Sequence, residues 1–227
     1  MRRAIYQAID IDAIVAKVLR GQAVATGSYF SRLVDGHVPE LERRLPYDQA
    51  AARALLKEAG YAEGFGVTLD CVNVAFRAAV CQAIAGMLAQ VGIKTSAQVW
   101  PTATFFPRIT QSTTSFFEFG WSPLTDAWPS LNAMLHSRTD DGVGTFNGGR
   151  YANTRLDKII DAIRVEPDAT QRRQLVGDAL RLMNADLPLI PLYRRTLTWV
   201  MRPDISVAQW PNDVLELRFV QIGEGNS

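Results

Sequence analysis

Two cysteines and two histidines among 227 residues leave little material for metal or thiol chemistry. Cys71 and Cys81 form no CxxC pair and join no Cys/His cluster, so their spacing offers no metal geometry. Both fall in apolar patterns, and free cysteine is among the most buried residue types. The expectation is two buried free thiols, with a disulfide as the alternative in an oxidising compartment. His37 and His136 stand far apart, with nothing beside them to complete a coordination set. Excess charge of either sign is also missing: 24 Lys and Arg face 23 Asp and Glu, a net +1. That balance argues against a nucleic-acid grip and supplies neither a polybasic anchor nor an acidic tail. No apolar run approaches the roughly 20 residues of a membrane span. A secretory leader needs an unbroken apolar stretch after its basic start; Gln7, Asp10 and Asp12 interrupt the one that follows Arg2 and Arg3. Internal repeats and low-complexity segments are absent.

The composition that remains, 48% hydrophobic and 21% charged, is that of a globular chain with a real core. The helical run from Arg2 to Asp10 leads into a second, with Ile11, Ile14, Val15, Val18 and Leu19 on one face and Gly21 just past its end. Gln22 to Pro46 shows no sustained period, a length of irregular chain that more often serves function than idles. Asp48 caps a helix with Ala52, Leu55, Leu56 and Ala59 in one stripe, closed by Gly60 and Tyr61 as a left-handed cap.

The most regular stretch follows. Val67, Leu69 and Cys71 alternate as a strand; Phe76, Val80, Ile84, Met87 and Val91 repeat as a helix; Ile93, Thr95, Ala97 and Val99 alternate again. A short helix at Thr102–Thr110 then leads to an apolar strand, Phe116–Trp121. The β-α-β-α-β order predicts a parallel crossover and an α/β fold with helices on both faces of the sheet. Beyond it, Asp126 heads a helix to about His136, and Gly142–Gly149 is a glycine-rich break. Asn153 caps Thr154–Val165, and Asp168 with Gln171 has capping-box spacing for the helix to Asn184. Leu187–Tyr193 reads as extended, Leu197–Met201 as a strand, and Val207 to Ile222 as short alternating pieces with no evident partner strand.

Several of these stretches together resemble one family. Arg3-Ala4-Ile5 through Gly21 is similar to the opening of the C-terminal lobe in extracellular solute-binding proteins of the peptide/nickel class. Tyr47-Asp48-Gln49-Ala50 through Leu55-Leu56-Lys57-Glu58-Ala59-Gly60-Tyr61 resembles that family's most recognisable helix. Gln90-Val91-Gly92-Ile93-Lys94, Gly120-Trp121, Gly149-Arg150-Tyr151-Ala152-Asn153 and Leu189-Ile190-Pro191-Leu192-Tyr193 follow in the family's order. The resemblance implies one lobe of a type II periplasmic-binding-protein-like fold, a mixed sheet flanked by helices. Residues 1–205 would be the C-terminal ligand-binding lobe, and 206–227 a segment that in the family returns to the first lobe. It further implies a periplasmic parent, a monomer, that captures a peptide, sugar or chelate in an inter-lobe cleft and docks on the membrane permease of an ATP-driven importer. No cofactor, metal or nucleic acid is implied. Read this way, Met1 marks the start of a fragment.

Within that frame Trp121 is the foremost candidate for a ligand wall, since it ends a strand at the carboxyl edge of the sheet, where open α/β sheets place ligands. Its bland alternative is a core tryptophan. In peptide-binding relatives an aspartate three residues after this tryptophan pairs with the peptide's terminal ammonium; here that position is Leu124, and Asp126 lies five residues on. Asp126 is therefore either a ligand contact or the cap of the helix that Pro129 opens. Arg150 could meet a carboxylate bidentately, or pair on the surface with Asp140 or Asp141. Trp128, Phe146 and Asn147 are further candidates for the same cleft. Tyr29, in the long early loop, either reaches ligand or anchors that loop to the core. An enzyme is the less favoured alternative, because no nucleophile elbow or phosphate loop is present. A ligand-sensing domain of a transcriptional regulator is the other, although the chain holds no helix-turn-helix.

Overall fold

The computed structural model describes residues 1–123, 125–208 and 214–223. Helix α1 (Arg2–Ala8) buries Ala4, Tyr6 and Ala8 against α3 (Gln49–Glu58). Between them, the Asp10 carboxylate accepts the Ala13 N–H at 2.9 Å and caps α2 (Ile11–Ala13), which widens into a π turn, Ile14–Val18. Strand β1 (Ala23–Ala25) follows, in a stretch where the sequence shows no period. Asp48 caps α3 through the Ala51 N–H. The far end of α3 closes as the sequence predicts: Tyr61 N–H returns to the Leu56 carbonyl and Gly60 N–H to Lys57. Gly60 sits at φ +85°, a conformation that a side chain would strain.

Strand β2 (Phe65–Val72), helix α4 (Ala75–Ala89) and strand β3 (Ile93–Trp100) form the predicted crossover. The strands run parallel, in register from Phe65 opposite Ile93 to Val72 opposite Trp100. Helix α4 buries Val80, Cys81, Ile84 and Leu88 against them, and α5 (Thr102–Thr110) packs on β2 with Phe105 and Ile109 buried. The expected strand Phe116–Trp121 is largely absent. A single parallel bridge joins Phe117 to Asp70, carried by Asp70 N–H to the Phe116 carbonyl (3.0 Å) and Glu118 N–H to the Asp70 carbonyl (2.9 Å). In that register Phe119 falls opposite Val72, the last residue of β2, so Gly120 and Trp121 run past the strand they would pair with.

The remaining helices build a second core. Helices α6 (Trp128–Met134), α7 (Thr154–Val165) and α8 (Ala169–Asp186) bury Leu131, Leu156, Ile160, Ile163, Leu180 and Met183 together with Phe30, Val34 and Val38 of the early loop. Asn153 caps α7 and Asp168 caps α8, as expected. The reciprocal half of the capping box is replaced, since Asp168 N–H goes to the Glu166 carboxylate at 2.9 Å. Strand β4 (Tyr193–Arg195) pairs antiparallel with β1, Val24 opposite Arg194. The strand expected at Leu197–Met201 does not form, because the pairing ends where Thr196 N–H meets the Gln22 carbonyl and β1 has no more residues to offer. The C-terminal segment finds a partner within itself: β5 (Ile205–Ser206) pairs antiparallel with β6 (Gln221–Ile222), while 209–213 and 224–227 lie outside the described residues. No described helix is long and apolar enough to cross a membrane.

The cysteines depart from the free-thiol expectation. Cys71 and Cys81 are both fully buried but joined as a disulfide, closing a loop ten residues apart in sequence. The sequence conceals this because proximity arises only when α4 folds back on the end of β2. Replacing both with alanine is expected to cost about 2–3 kcal/mol by the loop-entropy relation. Urea unfolding of the double variant measures this, and an unchanged midpoint would contradict it.

Four tyrosines carry a second expectation. Burial pushes Tyr6 up to about 12, with Arg44 opposing, and burial with the Asp186 hydrogen bond pushes Tyr151 up to about 12. Burial likewise raises Tyr29 and Tyr193. An acid whose pKa is raised on folding holds its proton more tightly in the native state, so stability falls as pH climbs from the ordinary tyrosine value towards the folded one. The free energy of unfolding should therefore decline between pH 10 and 12. Denaturant titrations across that window test the slope; a flat profile would refute it.

Candidate functional site

The site begins with two carboxylates in otherwise apolar extended chain. Asp70, between Leu69 and Cys71 on β2, is 1% exposed. It accepts the Trp100 indole N–H at 2.8 Å and a fork from Arg108, Nε at 3.1 Å and Nη2 at 3.0 Å. Arg108 also lies over the Trp100 ring, 4.6 Å from its centroid. Glu118, between Phe117 and Phe119, is 6% exposed, and both its oxygens take Arg77 Nη1, at 3.0 and 2.8 Å. Burial raises the Glu118 carboxyl above the usual range even though Arg77 opposes it. Arg77 belongs to the first turn of α4 and lies against Gly120, where a Cβ would overlap its guanidinium. A side chain there would have to displace that guanidinium, which Glu118 holds.

Beyond Gly120 the chain presents Trp121. Its indole N–H donates to the Ser130 hydroxyl of α6 at 2.8 Å, yet 36% of the residue remains exposed. The donor is spent, but part of the side chain still meets solvent. An aromatic block backs it: Phe146 meets Trp121 edge-on at 5.2 Å, Phe119 lies 5.7 Å from Trp121, and Phe119 stacks on Phe146 at 5.9 Å. Phe106 of α5 closes the block from behind, edge-on to both phenylalanines.

The other sequence-derived candidates divide by what holds them. Phe146 shares the aromatic block. Asp126 accepts the Trp128 backbone N–H at 2.9 Å and forms a bidentate pair with Arg172 of α8, at 2.8 and 3.0 Å. Its carboxylate is thus engaged by the protein; Leu124 lies outside the described residues. Trp128 is half-buried, with Arg164 over its ring at 5.9 Å. Asn147 is buried and spends its whole amide on the chain: Nδ2 donates to the His136 and Tyr151 carbonyls, and Oδ1 accepts the Tyr151 N–H. The Tyr29 hydroxyl donates to the Leu189 carbonyl and ties the early loop to the chain beyond α8. Arg150 sits exposed at φ +51°, with no hydrogen-bond or ion-pair partner for its guanidinium among the described residues. Among the described residues no group of His, Cys, Asp and Glu is arranged to hold a metal ion.

Sequence reasoning missed Asp70, Arg77, Arg108, Glu118, Phe119 and Ser130. The one available signal was a lone acid interrupting each apolar strand pattern.

Residues 1–142 match the family described as bacterial extracellular solute-binding proteins, family 5 Middle. The chain is 28% identical over 196 residues to the glutathione-binding protein GsiB of Pectobacterium atrosepticum, covering 84% of this chain and 38% of that protein. Its fold superposes on the Helicobacter pylori periplasmic binding protein DppA, solved with the peptide STSA, at TM-score 0.81 and 20% identity, over 98% of this chain and 44% of that one. It superposes equally on MoaA of A. tumefaciens, solved with mannopinic acid, at TM-score 0.81 and 22% identity, over 98% of this chain and 46% of that one. The chain therefore spans less than half the length of these relatives. By its sequence match over residues 1–142 it belongs to the family 5 bacterial extracellular solute-binding proteins, a family of binding proteins rather than enzymes.

Proposed function

We propose that this chain is the C-terminal lobe of an importer's solute receptor, and that Trp121 with Phe119 and Phe146 forms one wall of its cleft. The observation that carries the reading is Trp121: fixed by Ser130, set against stacked phenylalanines and still partly exposed. Such an aromatic surface suits the apolar side of a small polar solute. Residues 1–205 act as the lobe, and 206–227 as the segment that returns towards the first lobe. The relatives named above take glutathione, a peptide and an opine-type acid, so the proposed solute is a small peptide or similar amino-acid conjugate. Arg150, exposed and without a hydrogen-bond or ion-pair partner among the described residues, is the proposed contact for a solute carboxylate. Asp126 is proposed as a positioning residue, because Arg172 and the Trp128 N–H already hold its carboxylate. The proposed mechanism is hinge closure, solute bridging two lobes and the closed form docking on a membrane permease. A buried disulfide fits an oxidising compartment such as the periplasm.

Calorimetric titration with glutathione, a tetrapeptide and mannopinic acid tests the wall. The lobe alone should bind weakly, because the facing lobe's contacts are missing, and in the full-length parent Trp121→Ala should weaken binding by about 1.5–3 kcal/mol, roughly 10- to 100-fold in Kd, with the unfolding midpoint preserved. An unchanged Kd for every bound solute would remove Trp121 from the site.

A further inference from the structure

The charges around Trp121 divide into those the protein has spent and those it has not. Phe116–Trp121, α5, α6 and Gly142–Gly149 carry the wall, and their sequences hold one acid, Glu118. The loop from Trp121 to α6 adds one more, Asp126. Both are committed. Glu118 is 6% exposed and takes Arg77 Nη1 on both oxygens. Asp126 stands at the start of α6, four residues before Ser130, which holds the Trp121 indole. Its Oδ1 takes the Trp128 N–H at 2.9 Å and Arg172 Nη2 at 2.8 Å, and its Oδ2 takes the same Nη2 at 3.0 Å. A cation drawn to Asp126 therefore meets a guanidinium already in place. Asp140 and Asp141 stand on an exposed turn ahead of the glycine-rich segment, where Asp141 accepts the Thr139 hydroxyl.

The bases are distributed differently. Arg77 and Arg172 are neutralised in these same pairs, and Arg108 is forked onto Asp70. Arg150, the residue after Gly149, is exposed and has no ion-pair partner among the described residues. The wall thus pairs off its own acids while the segment that carries Phe146 ends on an uncommitted cation.

An ammonium group seated on Trp121 gives up water for a surface whose own two acids are both paired, and that is costly. The indole N–H is a donor, already given to Ser130, and cannot accept a proton from an amine. An aromatic face does attract a cation, but at a partly exposed site by less than a charge-assisted hydrogen bond supplies. An uncharged amide or acyl group incurs no such loss. We infer that the part of the solute seated on the Trp121 wall carries no free amine: the ligand class is an N-acylated or amine-free organic acid, its carboxylate left to meet Arg150. The inference rests on the function proposed above, since it specifies the solute of that same wall.

NMR of the isotope-labelled chain provides the test, because indole N–H shifts report the weak binding expected of a lone lobe. The probes are the tetrapeptide STSA and its N-acetyl form, each titrated to millimolar concentration, with the Trp121 indole assigned from Trp121→Phe. The acetylated form should shift the Trp121 indole saturably, with a Kd lower than that of the free-amine form by about tenfold or more. Arg172→Gln, which releases Asp126, should tighten the free-amine form several-fold and leave the acetylated form unchanged. The probe comparison in the unsubstituted chain needs no variant to fold. Equal or tighter binding of the free-amine form overturns the inference while leaving the wall as a solute site. An unchanged preference in folded Arg172→Gln overturns it as well, since paired acids would then not be what excludes the amine. A Trp121 indole that responds to neither probe removes the function proposed above, and the inference with it.

Discussion

Two carboxylate–guanidinium pairs, Asp70 with Arg108 and Glu118 with Arg77, fix the part of the molecule on which the rest of the account depends. The segment Phe116–Trp121 has one ladder contact with β2, too little backbone pairing to hold it in place. Burying a carboxylate is expensive unless it is paired and its lone pairs are satisfied. Both are paired: Asp70 has a fork and an indole donor, and Glu118 has Arg77 Nη1 across both oxygens. Because removing either partner would strand a buried charge, the pairs resist alternative registers more strongly than a short strand could. The disulfide acts in the same direction by tying α4, which carries Arg77, to the end of β2.

From that anchoring the aromatic wall follows. With Glu118 clamped and Gly120 pressed under Arg77, the next side chain leaves the sheet edge at a defined point, and Ser130 fixes its orientation. The stacked phenylalanines pack against Trp121, so the ring is held in place by its neighbours. On the other flank, Arg172 secures Asp126 and also donates to the Ile163 carbonyl near the end of α7. The loop after Trp121 is thus tied to the helical core.

Much of this fold was legible because it rests on local rules. The apolar stripes of α3, α4, α7 and α8 and the alternation of β2 and β3 were readable in sequence, as were the Asp48, Asn153 and Asp168 caps and the Gly60-Tyr61 closure. What was illegible depends on distance along the chain. Asp70 finds Arg108 across 38 residues and Glu118 finds Arg77 across 41, and no periodicity reports such pairings. The β1–β4 ribbon spans three residues on each side, below what alternation can register. Cys71 and Cys81 read as two apolar positions because burial, not spacing, was the visible property. At the site, Trp121 was conspicuous by type and place, whereas Phe119 and Ser130 were ordinary residues until packing brought them to it.

Hydrogen exchange at the Asp70 and Glu118 amides in an Arg77→Met variant tests the anchoring most directly. These two N–H groups carry the only backbone bonds between β2 and the Phe116–Trp121 segment among the described residues. If the ion pair holds the segment, Glu118 should lose protection by an order of magnitude or more while the β2–β3 ladder keeps its own. Unchanged protection at both amides would show that the segment is held by its aromatic packing, and that the buried pairs follow from the fold rather than fix it.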